Sequence, residues 1–467
     1  MIKSCLSRLY KPVVALWLSA LVASVSAPVS AATTTPPAPS GPDSLSWMCK
    51  QLDEPVIYSD KGAKYLKKGK GGFVFRSQTD FVILPALNPT DAGYFAHLNR
   101  QLAKSKVQLV VFIAPPRGVT MRDNLDPVVT APFHFNPDAA KASYATTQAR
   151  LRQMGIVVPD VFSTLAAHQL HLDGVENQYY LSGDPHWTAF GAYLTAHVIA
   201  EELAKRPTFG ELSQKTFTTT AGAPRIFTQG LFAEGHEICK VPYTPEMRRT
   251  WSTTADASDS GGLLGDEGVG VALMGTSFST IVTANFSGFL AQELHTDVAN
   301  YGVTGGGFES SILSYLLSDD FAQSKPKFLI WEMQYHNLKD DENFPLIVGA
   351  SDGDCGKQAL VSGKPVPIKL GQTPLMTLGG GERSRLGGNV NLVLDLATAD
   401  PRQYHMYINY MDGQSTRFDI DASRWTHSAN KMIARVPRDG KDIASVSMVP
   451  DQRLSGTASA HFCKAAS

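Results

Sequence analysis

Short, largely apolar runs alternate with helix-like segments through much of the chain. A polar, helix-like stretch at residues 95–106 precedes the first of four such runs, which lie at residues 107–114 (VQLVVFIA), 155–160 (GIVVPD), 268–274 (GVGVALM) and 327–333 (KFLIWEM). Apolar residues also recur at helical spacing after Thr188, with Phe190, Leu194 and Val198 on one face. A strand that is apolar along its length must be buried on both faces, which is typical of parallel strands covered by helices. The pattern therefore predicts an α/β fold, with a parallel sheet and helices on both of its faces.

Two later regions depart from this rhythm. Residues 206–267 are rich in Thr, Gly, Ser and Pro, which predicts a long, partly irregular insertion. Beyond Cys355, strand-like segments separated by turn residues follow one another without a convincing helix, at residues 391–396, 404–411, 416–421, 431–437, 443–449 and 458–463. That spacing predicts a small β-sandwich. We therefore expect an α/β domain at residues 45–350 and a β-sandwich module at residues 355–464.

The N-terminal residues have the pattern of a secretory signal peptide. Lys3, Arg8 and Lys11 form a basic start, residues 13–25 are apolar, and small residues occupy 29–31. This pattern predicts a signal peptide at residues 1–31, cleaved after Ala31 or Ala32, and hence export. The alternative is an uncleaved membrane anchor, although the apolar run is short for a bilayer span. No other segment is apolar enough to cross a membrane, so we expect no stable membrane span.

Charge and cysteine content narrow the class of protein further. The formal net charge is −1, which argues against a nucleic-acid partner. Cys5 leaves with the signal peptide, and an even number of cysteines in an exported chain favours disulfides. Four cysteines allow three pairings; Cys355 and Cys463 bracket the β-rich segment, so we expect them to pair and to leave Cys49 bonded to Cys239. No CxxC motif or His/Cys cluster is present, so we expect no metal and no cofactor.

The first candidate for chemistry is Ser277, in Gly275-Thr276-Ser277-Phe278-Ser279 directly after the apolar run 268–274. Active sites of α/β folds lie at the carboxyl ends of parallel strands. If a helix begins here, its first backbone N–H groups can bind an oxyanion, which favours Ser277 as a nucleophile. The alternative is a serine that only caps the helix, and Ser279 is the better candidate for that cap.

The second candidate is Asp184-Pro185-His186-Trp187-Thr188. A carboxylate two residues before a histidine can accept the Nδ1 proton and leave Nε2 free to take a proton from a serine. The chain has 12 histidines, and a lone histidine is more often structural. The clustering of Asp184, His186 and Trp187 at a helix entrance favours a catalytic role here.

These two motifs together resemble those of the AlgX/AlgJ family of alginate O-acetylation proteins. Asp184-Pro185-His186-Trp187 is similar to the family's Asp-x-His-Trp motif, and Gly275-Thr276-Ser277 resembles its version of the SGNH-hydrolase serine block. The serine follows the Asp–His pair, which is the permuted order of this family, whereas Thr276 stands where related hydrolases often have an acidic residue. Further similar segments lie at residues 71–76, 115–118 and 300–307.

The resemblance implies a fold and a reaction. The fold would be a permuted SGNH hydrolase-like domain, with the β-rich region similar to a carbohydrate-binding module that one branch of the family carries. Ser277, activated by His186 and Asp184, would carry an acetyl group from a donor to mannuronate residues of alginate in the periplasm. The implied partners are alginate (polymannuronate), an acetyl donor and other proteins of a periplasmic secretion and acetylation complex.

Candidate substrate-binding residues follow from their positions. Tyr335, with its neighbour His336, lies just beyond the apolar run 327–333, and Arg117 follows the run 107–114, where it could meet a uronate carboxylate. Residues 356–463 contain 13 Lys/Arg against 9 Asp/Glu, a net charge of +4 that suits a uronic acid polymer. Arg417 and Trp425 are the first candidates there.

Two other functions remain open. The same triad would serve an esterase or acetyltransferase that acts on cellulose or peptidoglycan. Alternatively, the protein would be a non-catalytic polysaccharide-binding scaffold of a secretion complex.

Overall fold

The computed structural model describes residues 49, 66–167, 170–172, 177–240, 245–256, 269–338, 343–355, 358–398 and 400–466. The predicted signal peptide at residues 1–31 lies outside the described residues. Within the described part of the chain, no helix is both long enough and apolar enough to cross a membrane.

A parallel sheet forms the centre of the N-terminal part. The strands up to residue 334 are β1 (Leu66–Lys68), β2 (Val74–Arg76), β3 (Gln108–Ala114), β4 (Phe217–Phe227), β5 (Glu246–Ala255), β6 (Val271–Met274), β7 (Val298–Asn300) and β8 (Phe328–Gln334). The parallel sheet has the order β3-β8-β6-β7. β1 and β2 form a separate antiparallel pair, as do β4 and β5.

Helices surround this sheet. They are α1 (Ser77–Asp80), α2 (Pro89–Lys104), α3 (Arg117–Thr120), α4 (Pro127–Thr130), α5 (Pro137–Gln153), α6 (Val161–Ala167), α7 (Ala189–Ala204), α8 (Leu231–Cys239), α9 (Ser277–Thr280), α10 (Phe286–Leu294), α11 (Glu309–Leu316), α12 (Asp319–Gln323) and α13 (Phe344–Asp352). The side chain of Asn88 caps α2, and that of Thr188 caps α7 by accepting from the N–H of Gly191. These capping bonds satisfy N–H groups that have no partner within a helix.

Successive side chains of the sheet enter two different cores. Leu109 and Trp331 pack with residues of α2, α11 and α13. Val110 and Ile330, one position away on the same strands, pack with residues of α7 and α10. Because strand side chains alternate between faces, both faces are covered. The prediction of a parallel sheet between helices is therefore confirmed.

In three places the structure differs in detail from the local predictions. Residues 155–160 form no strand, since only Val157 bridges to Val110 of β3. The helix expected at residues 95–106 begins earlier, at Pro89. The insertion at residues 206–267 is more regular than expected, because it contains the antiparallel ribbon β4–β5 and the helix α8.

The C-terminal part consists of antiparallel strands. They are β9 (Val361–Ser362), β10 (Val366–Pro367), β11 (Thr373–Thr377), β12 (Val390–Thr398), β13 (Gln403–Tyr410), β14 (Ser415–Asp421), β15 (Lys431–Arg435), β16 (Ile443–Pro450) and β17 (Gly456–Lys464), with one short helix, α14 (Gly380–Arg385). One sheet has the order β10-β17-β12-β15, with β9 also paired to β17, and the other has the order β11-β16-β13-β14. Leu392 and Leu394 of the first sheet share a core with Met406 and Ile408 of the second.

The C-terminal sheets pack directly on the α/β part. A Cβ atom at Gly349 of α13 would lie only 2.6 Å from the carbonyl oxygen of Ile433 in β15. Asp352, at the end of α13, accepts hydrogen bonds from Asn391 and Arg435 at 2.7 and 2.6 Å. The predicted domain boundary between residues 350 and 355 lies at the C-terminal end of α13.

Two disulfides are present, Cys49–Cys239 and Cys355–Cys463, the pairing predicted from the sequence. The first joins the end of α8 to the N-terminal segment. The second packs on Val393 and Ile433 of the first C-terminal sheet. Asp354 and His461 lie near this second disulfide. Its two sulfur atoms are bonded to each other and are therefore not thiolates that could bind a metal ion.

Candidate active site

Ser277, His186 and Asp184 form a hydrogen-bonded chain at the carboxyl end of the sheet. Ser277 is the first residue of α9, directly after β6, and the other two lie on the loop before α7. His186 Nε2 lies 2.7 Å from Ser277 Oγ, and His186 Nδ1 lies 2.6 Å from Asp184 Oδ1. A serine, a histidine and a carboxylate in this order can move the serine proton to the imidazole.

Asp184 is held in its ionised form. Its side chain is only 7% exposed, so burial by itself would raise the pKa of its carboxyl. The hydrogen bond and charge of His186, and then the charge of Arg248, outweigh burial and lower this pKa to about 2. The His186 backbone N–H also donates to Oδ1, at 2.9 Å, and thereby holds the loop against the carboxylate. The carboxylate is therefore available to orient His186 at neutral pH.

The far side of Asp184 is closed by the insertion. Arg248 Nη1, from β5, donates to Asp184 Oδ2 at 3.2 Å. A Cβ atom at Gly230, whose φ is +101°, would lie 2.8 Å from the same oxygen. The sequence alone did not single out Arg248, because nothing in its local pattern distinguishes it from the neighbouring Arg249.

A buried carboxyl group holds the segment that carries Ser277. Glu332 of β8 accepts hydrogen bonds from the N–H of Thr276 at 2.7 Å and from the hydroxyl of Ser279 at 2.9 Å. Burial raises the pKa of Glu332, and these donors act in the opposite direction. At Gly275 a Cβ atom would lie 2.6 Å from Glu332 Oε2, so this position has no room for a side chain.

The helix cap differs from the expected one. Thr276, not Ser279, caps α9, since its hydroxyl accepts from the N–H of Phe278 at 3.2 Å. Ser279 is buried and its hydroxyl serves Glu332 instead. The hydroxyl of Ser277 therefore neither caps α9 nor binds Glu332. Because Ser277 is the first residue of α9, its backbone N–H has no acceptor within the helix.

Comparison with known proteins assigns the chain to a family. The family described as "SGNH hydrolase-like domain, acetyltransferase AlgX" matches residues 66–335, a span that contains Asp184, His186 and Ser277. The chain belongs to the AlgX family. This membership confirms the predicted SGNH hydrolase-like fold and makes the protein an acetyltransferase.

Individual AlgX proteins are similar over most of the chain. AlgX of Pseudomonas fluorescens is 31% identical over 393 residues, which cover 82% of this chain and 79% of that protein. AlgX of Pseudomonas aeruginosa is 32% identical over 352 residues, which cover 73% of this chain and 71% of that protein. Both are named "Alginate biosynthesis protein AlgX". The solved structure of Pseudomonas aeruginosa AlgX superposes with a TM-score of 0.74 at 26% identity, and covers 90% of this chain and 100% of that one.

In this AlgX family member, Ser277 and His186 open into a pocket of about 250 Å³. Its walls combine polar and apolar residues. Besides Ser277 and His186, they are Arg76, Thr79, Asp80, Ala114, Pro115, Pro116, Arg117, Tyr180, Pro185, Phe278, Gln334, Tyr335 and His336. Burial lowers the pKa of His336, so its imidazole is neutral at pH 7. A small acyl group fits a pocket of this size beside Ser277.

Tyr335 and Arg117 line the pocket, and the Tyr335 hydroxyl and the two Nη groups of Arg117 already have protein partners. The Tyr335 hydroxyl accepts from the N–H of Leu84 at 3.1 Å. Arg117 is 4% exposed, and its guanidinium donates to the carbonyl oxygens of Val74 and Leu181 at 2.7 and 2.6 Å. Both residues thus form part of the pocket wall beside Ser277, and their contact with a substrate stays a prediction.

The two candidates in the C-terminal part differ from each other. Trp425 is 6% exposed, and its indole N–H donates to the hydroxyl of Ser310 at 2.8 Å. It is largely buried, and its role as a binding platform stays a prediction. Arg417 has half of its side chain exposed on β14, opposite Tyr407 of β13. It forms an ion pair with Asp419 at 2.5 Å and remains accessible to a ligand.

Proposed function

We propose that this AlgX-family protein transfers acetyl groups to mannuronate residues of alginate in the periplasm, through an acetyl-serine intermediate at Ser277. The observation that carries the proposal is the 2.7 Å contact between His186 Nε2 and Ser277 Oγ at the mouth of a pocket. The substrate class comes from the relatives, which are named alginate biosynthesis proteins.

In the first half of the reaction, Ser277 takes the acetyl group. Its Oγ attacks the carbonyl carbon of the acetyl donor while its proton passes to His186 Nε2. Asp184, ionised and bonded to Nδ1, stabilises the imidazolium that forms. The N–H of Ser277 stabilises the negative charge on the carbonyl oxygen. The bond to the leaving group then breaks, and the leaving group takes the proton from His186.

In the second half, a sugar hydroxyl replaces water as the acceptor. His186 removes the proton of that hydroxyl as its oxygen attacks the acetyl carbonyl carbon. The bond from this carbon to Ser277 Oγ breaks, and Oγ recovers the proton from His186. The products are an acetylated sugar and the starting enzyme.

The C-terminal module at residues 355–464 would hold the polymer during transfer. The net charge of +4 over residues 356–463 favours a polyuronate, and Arg417 with the neighbouring Tyr407 offers a cation beside an aromatic ring on an exposed strand pair. Two disulfides fit an extracytoplasmic protein, since such bonds persist in oxidising compartments. We also propose that the protein works together with other proteins of a periplasmic secretion and acetylation complex.

The test is mass spectrometry of oligomannuronate incubated with the full-length protein and an acetyl donor such as 4-nitrophenyl acetate. The expected result is the addition of acetyl groups, which is lost in Ser277→Ala. Acetylation of cello-oligosaccharides or peptidoglycan fragments at an equal rate would instead indicate another polysaccharide. Binding of oligomannuronate without acetylation in the unaltered protein would indicate a scaffold.

The polymer-binding part is tested separately, in the Ser277→Ala background. We expect oligomannuronate to bind more tightly than neutral oligosaccharides, and added salt to weaken that binding by screening. Arg417→Gln should weaken the binding of oligomannuronate. Arg453→Gln removes the same charge from an exposed position elsewhere in the module and, as the matched control, should weaken it less. Equal, salt-insensitive affinity for both ligands would contradict the electrostatic argument.

A further inference from the structure

The two oxygens of Asp184 have different partners. Oδ1 accepts from both the backbone N–H and the Nδ1 of His186, at 2.9 and 2.6 Å. Oδ2 instead accepts from Arg248 Nη1, at 3.2 Å. Each side chain of the Asp184–Arg248 pair is 7% exposed, so the pair is shielded from water. A carboxylate bridged in this way cannot rotate without breaking a contact on one side or the other.

Arg248 is itself fixed in place by the insertion. It belongs to the ribbon β4–β5, and its guanidinium lies over the ring of Phe227, 4.8 Å from the ring centroid. The start of α8 also contacts the loop that carries Asp184, because the N–H of Leu231 donates to the carbonyl oxygen of Gly183 at 2.9 Å. The insertion thus places the positive charge of Arg248 next to Asp184, from outside the parallel sheet.

We infer that Arg248 is a positioning residue of the triad, which orients the Asp184 carboxylate toward His186 and sets the lower pH limit of acetyl transfer. This inference rests on the proposed function of Ser277, His186 and Asp184. Arg248 acts through Asp184 and does not touch Ser277 or the acetyl group.

The direction of the effect follows from charge. His186 must be neutral to accept the serine proton, so protonation of the imidazole in acid abolishes transfer. A fixed positive charge beyond Asp184 favours the carboxylate and disfavours the imidazolium. Removing that charge therefore favours protonation of the Asp184–His186 pair. The acid limb of the pH profile would therefore move to higher pH.

Other ionisable groups surround the pair. Glu234 of α8 pairs with Arg76, and the buried His236 lies on the same helix. Glu332 of β8 interacts electrostatically with His186 and accepts a hydrogen bond from the N–H of Thr276. Among the described residues, Arg248 is the arginine in direct contact with Asp184. Its removal is therefore not compensated by a neighbouring cation in contact with the same carboxylate.

The test compares kcat/KM for hydrolysis of 4-nitrophenyl acetate between pH 5 and pH 8 in full-length variants. In Arg248→Gln and Arg248→Met we expect kcat to fall roughly tenfold or more. The acid limb should also move to higher pH by about one unit, with little change in KM. Arg248→Lys keeps the charge and should leave the limb near its original position. Arg249→Gln removes the adjacent, exposed arginine of the same strand and serves as the matched control.

Thermal unfolding followed by circular dichroism identifies which variants are folded. Arg248→Gln and Arg248→Met are both made so that the test can still be carried out if one of them fails to fold. An unmoved acid limb in a folded neutral variant would overturn the inference, as would an equal shift in Arg249→Gln. Ser277→Ala is measured in parallel. If Ser277→Ala still hydrolyses the ester, the proposed function fails. If Ser277→Ala is inactive but the acid limb of the neutral Arg248 variants does not move, only the role of Arg248 fails.

Discussion

His186 Nε2 lies 2.7 Å from Ser277 Oγ, and the residues that follow them are bonded too: Trp187 Nε1 donates to the carbonyl oxygen of Phe278 at 3.1 Å. This double contact joins the loop before α7 to the start of α9. Because Trp187 is wholly buried, it fixes the register of the two loops. The reacting pair is therefore positioned by the core rather than by flexible side chains.

The first prediction concerns the triad. Ser277→Ala and His186→Ala should each lower acetylesterase activity on 4-nitrophenyl acetate by about 10³-fold or more, and Asp184→Ala by somewhat less. The three groups act as one unit, so the double variant of Ser277 and His186 should be little worse than either single one. The exposed Ser415→Ala serves as the control. Activity near that of the control in Ser277→Ala would end the assignment.

The second prediction concerns Glu332. Glu332→Ala leaves the buried N–H of Thr276 and the hydroxyl of Ser279 without their acceptor, which costs on the order of 1–3 kcal/mol for each group. We expect lower stability in urea unfolding and a displaced Ser277, hence reduced kcat. Glu332→Gln keeps the size and one carbonyl oxygen, so its losses should be smaller. If both variants retain full stability and kcat, Glu332 does not hold the serine segment.

The parallel sheet and the triad were accessible from the sequence because each depends on local patterns. A run such as VQLVVFIA is apolar on both faces, and Asp184 and His186 are only two residues apart. β7 was missed because it is three residues long and half exposed. The ribbon β4–β5 was missed because its Thr-rich strands are largely exposed and show no apolar face.

Residues defined by long-range partners could not be identified from sequence. Glu332 stands within an apolar strand, and only the sheet order shows that its neighbour is Thr276. Trp425 lies among polar residues, so its sequence context favoured exposure, whereas its partner Ser310 lies 115 residues away. Arg117 likewise followed a strand end, but Val74 and Leu181 occupy its guanidinium.

The third prediction concerns acid stability. The pKa of Asp184 is lowered from its ordinary value of 3.8 to about 2, so the folded state holds this proton more weakly than the unfolded state. The resulting stability is fully present above about pH 4 and is lost as the pH falls toward 2, and amounts to about 2 kcal/mol. Asp184→Asn lacks this dependence.

Urea unfolding of both proteins between pH 5 and pH 2.5 measures the difference. The gap in free energy of unfolding between wild type and Asp184→Asn should shrink as the pH falls. A gap that stays constant over this range would show that Asp184 is not stabilised as a carboxylate in the fold.

The fourth prediction concerns the Cys355–Cys463 disulfide. It joins residues 108 positions apart, and it ties the segment before β9 to β17. Closing a loop of that length restricts the unfolded chain and stabilises the fold by about 5 kcal/mol from chain entropy. The double variant Cys355→Ser/Cys463→Ser should therefore unfold at markedly lower denaturant concentration. Because the bond packs on Val393 and Ile433, away from Ser277, acetylesterase activity should persist while the protein is folded.

The pair Cys49–Cys239 provides the matched comparison. Cys239 ends α8, the helix whose first residue bonds to Gly183 beside Asp184. We therefore expect Cys49→Ser/Cys239→Ser to lower both stability and kcat, in contrast to the C-terminal pair. Peptide mapping without reduction decides the pairing itself, and a Cys239–Cys355 link would contradict it. Equal loss of activity in the two double variants would show that the C-terminal sheets also hold the catalytic loops in place.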